Sequence, residues 1–308
     1  MDFLEKLKIY NRKRVERRRI DRANKAALGC GADMVISTPP HCVYIAKCVE
    51  YALHEEGLRC YINTEKIIPK TKAEVLHMVI CPQLYDVLPD GYIAYQMEQT
   101  LSSSWFDGAY IEKLNAASVI LDYSESNVVE LRGILRGGMP IFCAPIPLVR
   151  QSCPPIAKEF DVAFYGNVEG SERRRIFLNE VCQRYRTRLI HGKHGADLYD
   201  VLRSANLVVN IHYYENAPLE TTRIMECLSL GVPVVSETAR DIECYPGVHS
   251  VVTFSEEGQV DDMIAKIKEV LGNIQEADRA VSEEGCGELF YDDFKAGLRG
   301  ALKVRRRQ

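Results

Sequence analysis

At 308 residues, 46% hydrophobic and 27% charged, the chain is long enough for two domains and has the composition of an ordinary globular protein. It holds no apolar run of about eighteen residues, which argues against a membrane-spanning helix, and Met1-Asp2-Phe3-Leu4-Glu5-Lys6-Leu7-Lys8 lacks the core of a signal peptide. The eleven cysteines are scattered without a C-x-x-C pair, and Cys60, Cys81, Cys143 and Cys227 lie in or beside apolar runs. They read as small buried hydrophobes of a reducing compartment, not as a disulfide or zinc framework, so a cytoplasmic location is expected.

The net charge of −4 is unevenly spread. Residues 1–25 carry ten Lys or Arg against four acids, and the last six residues, 303–308, add four more positive charges, so the body between them is strongly acidic. A solvated basic helix and a frayed tail account for this pattern; the functional reading is peripheral contact of the basic termini with an anionic membrane. Phe3, Leu4, Leu7 and Tyr10 form only a short apolar stripe. Aromatics are few among the basic residues, and no nucleic-acid partner is expected.

Past this helix, residues 33–37, 58–62, 76–80, 92–95, 118–121 and 140–143 read as strands. A helix over 42–56 aligns Val43, Ala46, Val49 and Leu53. Pro145, Pro147, Pro154 and Pro155 mark a linker, read as a hinge. A second series follows, with strands at 161–165, 188–190, 206–210, 232–235 and 250–253 and helices near 171–186, 196–204, 218–230 and 260–272. Continuously apolar strands alternating with helices predict parallel sheets covered on both faces. The fold class is therefore α/β: two Rossmann-like parallel-sheet domains facing a cleft, divided as 1–150 and 151–288, with a C-terminal helix in 289–308.

The most informative segment runs from Asn216 to Val235. Pro218 suits a first helical turn, Ile224, Met225 and Leu228 share an apolar face, and Gly231 supplies a left-handed C-terminal residue before a buried strand. Glu220, Thr221, Thr222, Arg223 and Glu226 crowd the helix start, where free N–H groups and the dipole favour an anion such as a diphosphate. The alternative for the same residues is a surface helix with an i,i+3 ion network among Glu220, Arg223 and Glu226.

Glu226 followed by Gly231-Val232-Pro233-Val234-Val235 resembles the C-terminal nucleotide-sugar motif of GT-B-fold glycosyltransferases, in particular the bacterial surface-polysaccharide type with a family 1/4-like donor domain. Residues 92–99 and 122–127 are similar to segments recurring in those enzymes, and the likeness runs through 160–254. The resemblance implies that Glu226 binds the ribose hydroxyls of the donor. A second Glu, eight residues earlier in many members, is replaced here by Pro218, leaving Glu220 or Glu215 as substitutes. It also implies that the loop with Gly192 and Lys193 runs along the nucleobase and that the C-terminal helix crosses back to the first domain. On this reading residues 1–150 are the acceptor side and 151–288 bind the nucleotide sugar.

Glycosyl transfer needs a stabilised diphosphate, an oriented donor and, for inversion, a base. No D-x-D pair and no clustered His/Cys set is visible, so no metal and no cofactor are expected, and the leaving charge falls to Arg, Lys and helix-start N–H groups. Gly166 and Asn167 end a strand where a ligand can approach the backbone, with Arg173 or Arg174 next in line for the diphosphate. His212, Glu215 and Asn216 follow another strand and face phosphate or sugar. Glu98 is the first choice of general base, with Asp122 and His41 as rivals. The expected function is metal-independent transfer from a nucleotide sugar to a glycan or lipid-linked glycan. The alternatives are an epimerase or hydrolase on the same fold, or a non-catalytic binding module.

Overall fold

The computed structural model describes residues 31–101, 103–282 and 289–306, with residues 5, 24–26 and 29; the expected basic N-terminal helix lies outside these residues. A six-stranded sheet comprises β1 (Met34–Ser37), β2 (Cys60–Asn63), β3 (Leu76–Ile80), β4 (Ile93–Gln96), β5 (Val119–Asp122) and β6 (Ile141–Cys143). A five-stranded sheet comprises β7 (Phe160–Tyr165), β8 (Thr187–Ile190), β9 (Ala205–Asn210), β10 (Val234–Glu237) and β11 (Val252–Ser255). Every pairing is parallel, in the orders β2-β1-β3-β4-β5-β6 and β11-β10-β9-β7-β8. Val35, Ile36, Val79, Ala94, Ile120, Val208 and Val235 are all fully buried, as strands covered on both faces require.

The covering helices are α1 (Val43–Glu55), α2 (Gly108–Ala116), α3 (Glu125–Ile134), α4 (Glu172–Arg184), α5 (Ala196–Arg203), α6 (Thr221–Ser229), α7 (Val260–Gly272), α8 (Ile274–Ala280) and α9 (Tyr291–Arg305). Asp107, Ser124 and Ser171 cap α2, α3 and α4 by accepting from the N–H three residues on, which satisfies donors a helix start otherwise leaves free. Among the described residues no helix is long and apolar enough to cross a membrane.

Each sheet has one point where the winding reverses: between β1 and β3, and between β7 and β9. Loops on either side of such a point leave the carboxyl edge in opposite directions and open a crevice. Four loops therefore matter: those after β1, β3, β7 and β9.

The proline-rich segment is not a free hinge. Ala144, Ile146 and Leu148 are buried, the Tyr44 hydroxyl donates to the Pro147 carbonyl at 2.8 Å, and Arg150 Nη1 donates to the Leu228 carbonyl at 2.7 Å. The Gln151 N–H donates to the Ser229 carbonyl at 2.9 Å. One apolar cluster runs from Tyr44 and Val49 through Leu148 to Leu219 and Leu228, so the segment is a packed strap. Proline stiffens the strap, and alternating apolar side chains anchor it. At the chain's end α9 crosses onto β5 and β6, burying Phe294, Leu298 and Ala301.

Candidate active site between the two sheets

The carboxyl edge of the second sheet holds most of the expected donor residues. Helix α6 begins at Thr221 with Glu220 as its cap residue, so Pro218 lies ahead of the helix and not within its first turn. Glu220, at φ −75° and ψ 63°, is outside helical geometry, which postpones the first turn. Gly231 does take the left-handed conformation, at φ +70°.

Glu226 is 5% exposed, and the Tyr165 hydroxyl at the end of β7 donates to its Oε2 at 2.9 Å. Burial raises its carboxyl to about 7, opposed by the Tyr165 hydrogen bond and by the charges of Arg223, Lys47 and His41. Lys47 and His41 belong to the first sheet's side, so Glu226 faces across the interface between the sheets. Lys47 Nζ stands 5.1 Å over the ring of Tyr199 on α5, which completes the surround. Lys47, Tyr165 and Tyr199 escape sequence reasoning because none belongs to a local motif.

Arg223 Nη1 donates to Asn210 Oδ1 at 2.6 Å and pairs with Glu220, one turn away. Arg174 is 3% exposed; its Nε donates to the Ile211 carbonyl at 2.9 Å and its Nη2 pairs with Glu220 at 3.3 Å. Burial, and then the neighbouring Arg223, lower the Arg174 guanidinium to about 10. Enclosure would raise Glu220, but Arg223, His212 and Arg174 hold it far below the usual carboxylate range. A Cβ on Gly166, at φ +140°, would lie 3.1 Å from Arg223 Nη2 and 3.4 Å from Arg174 Nη1. Only glycine lets these guanidinia close over the loop after β7.

Arg173 forms a bidentate pair with fully buried Glu237 and donates to the His212 carbonyl at 3.2 Å. His212 is itself fully buried, with Nε2 3.1 Å from the Thr238 carbonyl and Nδ1 3.8 Å from Glu220. Burial alone would lower its imidazole; Glu220 outweighs that and raises it. The arginines read as diphosphate ligands are thus held by partners within the protein, Arg173 by Glu237 and the Arg174–Arg223 pair by the one carboxylate of Glu220, which leaves that pair with one uncompensated positive charge. Around this cluster, Thr221 is buried and Thr222 half-buried, while Asn167, Gly192, Lys193, Glu215 and Asn216 are exposed. The Asn167 side chain turns its own loop by accepting from the Glu169 N–H at 2.9 Å.

The first sheet supplies the three carboxylate and imidazole candidates, in different settings. Glu98, half-buried after β4, accepts from Gln83 Nε2 at 2.7 Å and from Ser103 Oγ at 2.6 Å. Asp122 is fully buried and accepts from the Ser124 N–H at 2.8 Å, Gln96 Nε2 at 2.8 Å and Asn127 Nδ2 at 3.1 Å. Desolvation raises its carboxyl to about 8 against those donors. Asp122 is therefore a fully enclosed tie between β4, β5 and the start of α3. Asp122→Ala is expected to strand the three donors and lower stability by about 3 kcal/mol in urea unfolding.

His41 is exposed, and its ring centroid lies 6.1 Å from that of His194 on the loop before α5. A hydrogen bond with Cys81 raises its imidazole despite desolvation. Contrary to the expectation that the chain holds no clustered His/Cys set, the ligand atoms of His41, Cys42 and Cys81 lie within 4.8 Å of one another. Sequence spacing hides this because Cys81 comes from a different strand.

No protein-family model and no curated protein sequence matches the chain. Solved structures do. AviGT4, a glycosyltransferase involved in avilamycin A biosynthesis, superposes with a TM-score of 0.55 at 13% identity, over 90% of this chain and 99% of that one. Sucrose-phosphate synthase from Thermosynechococcus elongatus gives 0.52 at 11% identity, over 89% and 98%. TarM gives 0.51 at 13% identity over 85% of this chain, which spans 58% of TarM's length. With its two parallel sheets in these orders, the chain has the GT-B fold.

Proposed function

We propose that the protein transfers a sugar from a nucleotide-sugar donor to a glycan or lipid-linked glycan acceptor, without a metal ion on the diphosphate. The observation that carries this reading is the placement of Glu226: a nearly buried carboxylate on α6, held by Tyr165 and turned toward α1 and His41 of the other sheet. A carboxylate so fixed accepts two vicinal hydroxyls, as a ribose presents, better than an isolated anion. The diphosphate would lie over Gly166 and the start of α6, where Arg223 and Arg174 converge.

Glu98 serves as the base in this reading. It is the candidate carboxylate on the first sheet's edge that keeps solvent access, and Gln83 and Ser103 fix its orientation. The 5% exposure of Glu226 means that donor entry requires the two sheets to part locally, after which closure excludes water from the transfer.

A thermal-shift screen of nucleoside diphosphates and nucleotide sugars, with and without magnesium, tests the proposal. One nucleotide is expected to raise the midpoint equally in both conditions, and Glu226→Ala is expected to lose the shift. A strict magnesium requirement, or a shift that survives in Glu226→Ala, contradicts it. Consumption of donor at the same rate with and without acceptors would favour a hydrolase or epimerase instead.

A further inference from the structure

The cluster at the first sheet's switch point has no part in the transfer reaction proposed above. Cys42 follows β1 and Cys81 follows β3, strands paired in parallel with Ser37 opposite Val79. Both thiols are nearly enclosed, at 5% and 3% exposure, whereas His41 stands at the mouth. Cys81 takes a left-handed backbone conformation at φ 55° and ψ 63°. For a non-glycine residue that conformation is strained, and strain of this kind persists where surrounding structure holds a side chain in place.

From that conformation the Cys81 Sγ lies 3.7 Å from the Cys42 Sγ. Two thiolates on one tetrahedral zinc, at Zn–S of about 2.3 Å, stand about 3.8 Å apart. The same Zn–N arithmetic, with bonds of about 2.0 Å, puts two imidazoles on one zinc about 5 Å apart between centroids. His41 and His194 are at 6.1 Å, about an ångström beyond that separation, and His194 stands outside the three residues whose ligand atoms lie within 4.8 Å of one another, so it must swing inward to join them. His194 comes from the second sheet's side, on the loop between β8 and α5.

We propose that His41, Cys42 and Cys81 bind one zinc ion, and that His194 reaches across the cleft as its fourth ligand. Binding converts both thiols to thiolates with release of two protons, and the imidazoles bind as neutral ligands. A two-cysteine, two-histidine shell leaves no open position, so the ion fastens one lobe to the other and does not polarise substrate. The latch would favour the closed arrangement of the two sheets around Glu226.

The test uses the full chain, reduced and stripped with chelator, then titrated with cobalt(II) and back-titrated with zinc. One equivalent of cobalt is expected to give a thiolate-to-cobalt charge-transfer band with the strong visible bands of a four-coordinate site, both erased by zinc. Cys42→Ser and Cys81→Ser should lose the charge-transfer band. His41→Ala, at an exposed position that tolerates truncation, should weaken zinc binding about a hundredfold, and His194→Ala at least about tenfold. Absence of the band in the reduced chain, or its persistence in Cys81→Ser, overturns the site. Unchanged zinc affinity in His194→Ala overturns the latch. Because the readout is a spectrum and a metal affinity, failure here is separate from failure of nucleotide binding.

Discussion

Glu226→Gln is expected to make the protein more heat-stable above neutral pH and much poorer at binding nucleotide. The Glu226 carboxyl is raised to about 7 from its ordinary value of 4.5, chiefly by burial. Between those two pH values the folded chain holds a proton that the unfolded chain releases, so folding is favoured by protonation there. That advantage is lost as pH rises through about 7, and above it the ionised carboxylate burdens the fold by about 3 kcal/mol. Glutamine keeps the shape and the Tyr165 contact without the charge. At pH 8 the melting midpoint should rise by about 5 °C, and at pH 5 it should scarcely change. Nucleotide affinity should fall about a hundredfold, since two hydrogen bonds to a charged acceptor become neutral ones. In the native chain, affinity should weaken below about pH 7, as the acceptor carboxylate is protonated. Calorimetry across pH, on both chains, reads all of these; an equal midpoint for the two chains at pH 8 would contradict the burial argument.

Gly297→Ala should be the most damaging glycine-to-alanine change among the described residues. Helix α9 lies on β5 and β6, pinned on either side of Gly297 by fully buried Phe294, Leu298 and Ala301. A Cβ at this position would be driven into the carbonyl oxygen of Cys143, deep inside van der Waals contact, and would press on the Ala144 Cβ at 3.0 Å. Neither backbone neighbour can rotate away, because the Ala144 N–H donates to the Asp122 carbonyl at 2.7 Å. The helix must lift from the sheet. The expected loss is about 3 kcal/mol, after allowing about 1 kcal/mol for the better helix propensity of alanine. Gly300→Ala is the control: the atoms nearest its Cβ, at 2.7 Å, belong to the ring of half-buried Phe142, a side chain able to swing. A midpoint drop in Gly297→Ala at least twice that in Gly300→Ala is expected in thermal unfolding; equal drops would show that α9 packs differently.

Both sheets were legible in the sequence because their strands are short, apolar on both faces and separated by turn residues, as in 76–80 and 206–210. Helices α2 and α3 were not, since each buries only a narrow apolar set (Tyr110 and Leu114; Val128 and Leu131) among polar residues. The resemblance singled out Glu226, but not its setting. Its neighbours Tyr165, Lys47 and Tyr199 come from three separate elements and meet only when the sheets face one another. By residue type alone, Arg173, Arg174 and Arg223 read as anion ligands. Their pairing with Glu220 and Glu237 is a product of the fold, with Glu237 lying 64 residues beyond Arg173. The ion network at 220–223 read from helical spacing is present, yet it is turned inward and shared with buried Arg174. For the same reason the His41, Cys42 and Cys81 cluster is invisible to spacing rules: it exists because β1 and β3 are neighbours.

On the function proposed, the two switch points enclose a nucleotide-sugar site with Glu226 on the ribose. A crystal structure of the complex with the nucleotide selected by thermal shift tests it most directly. The ribose hydroxyls are expected within hydrogen-bond distance of the Glu226 carboxylate, with the diphosphate over Gly166 and the first turn of α6. A nucleotide bound elsewhere on the chain, with Glu226 still enclosed against Tyr165 and untouched by ligand, would contradict it.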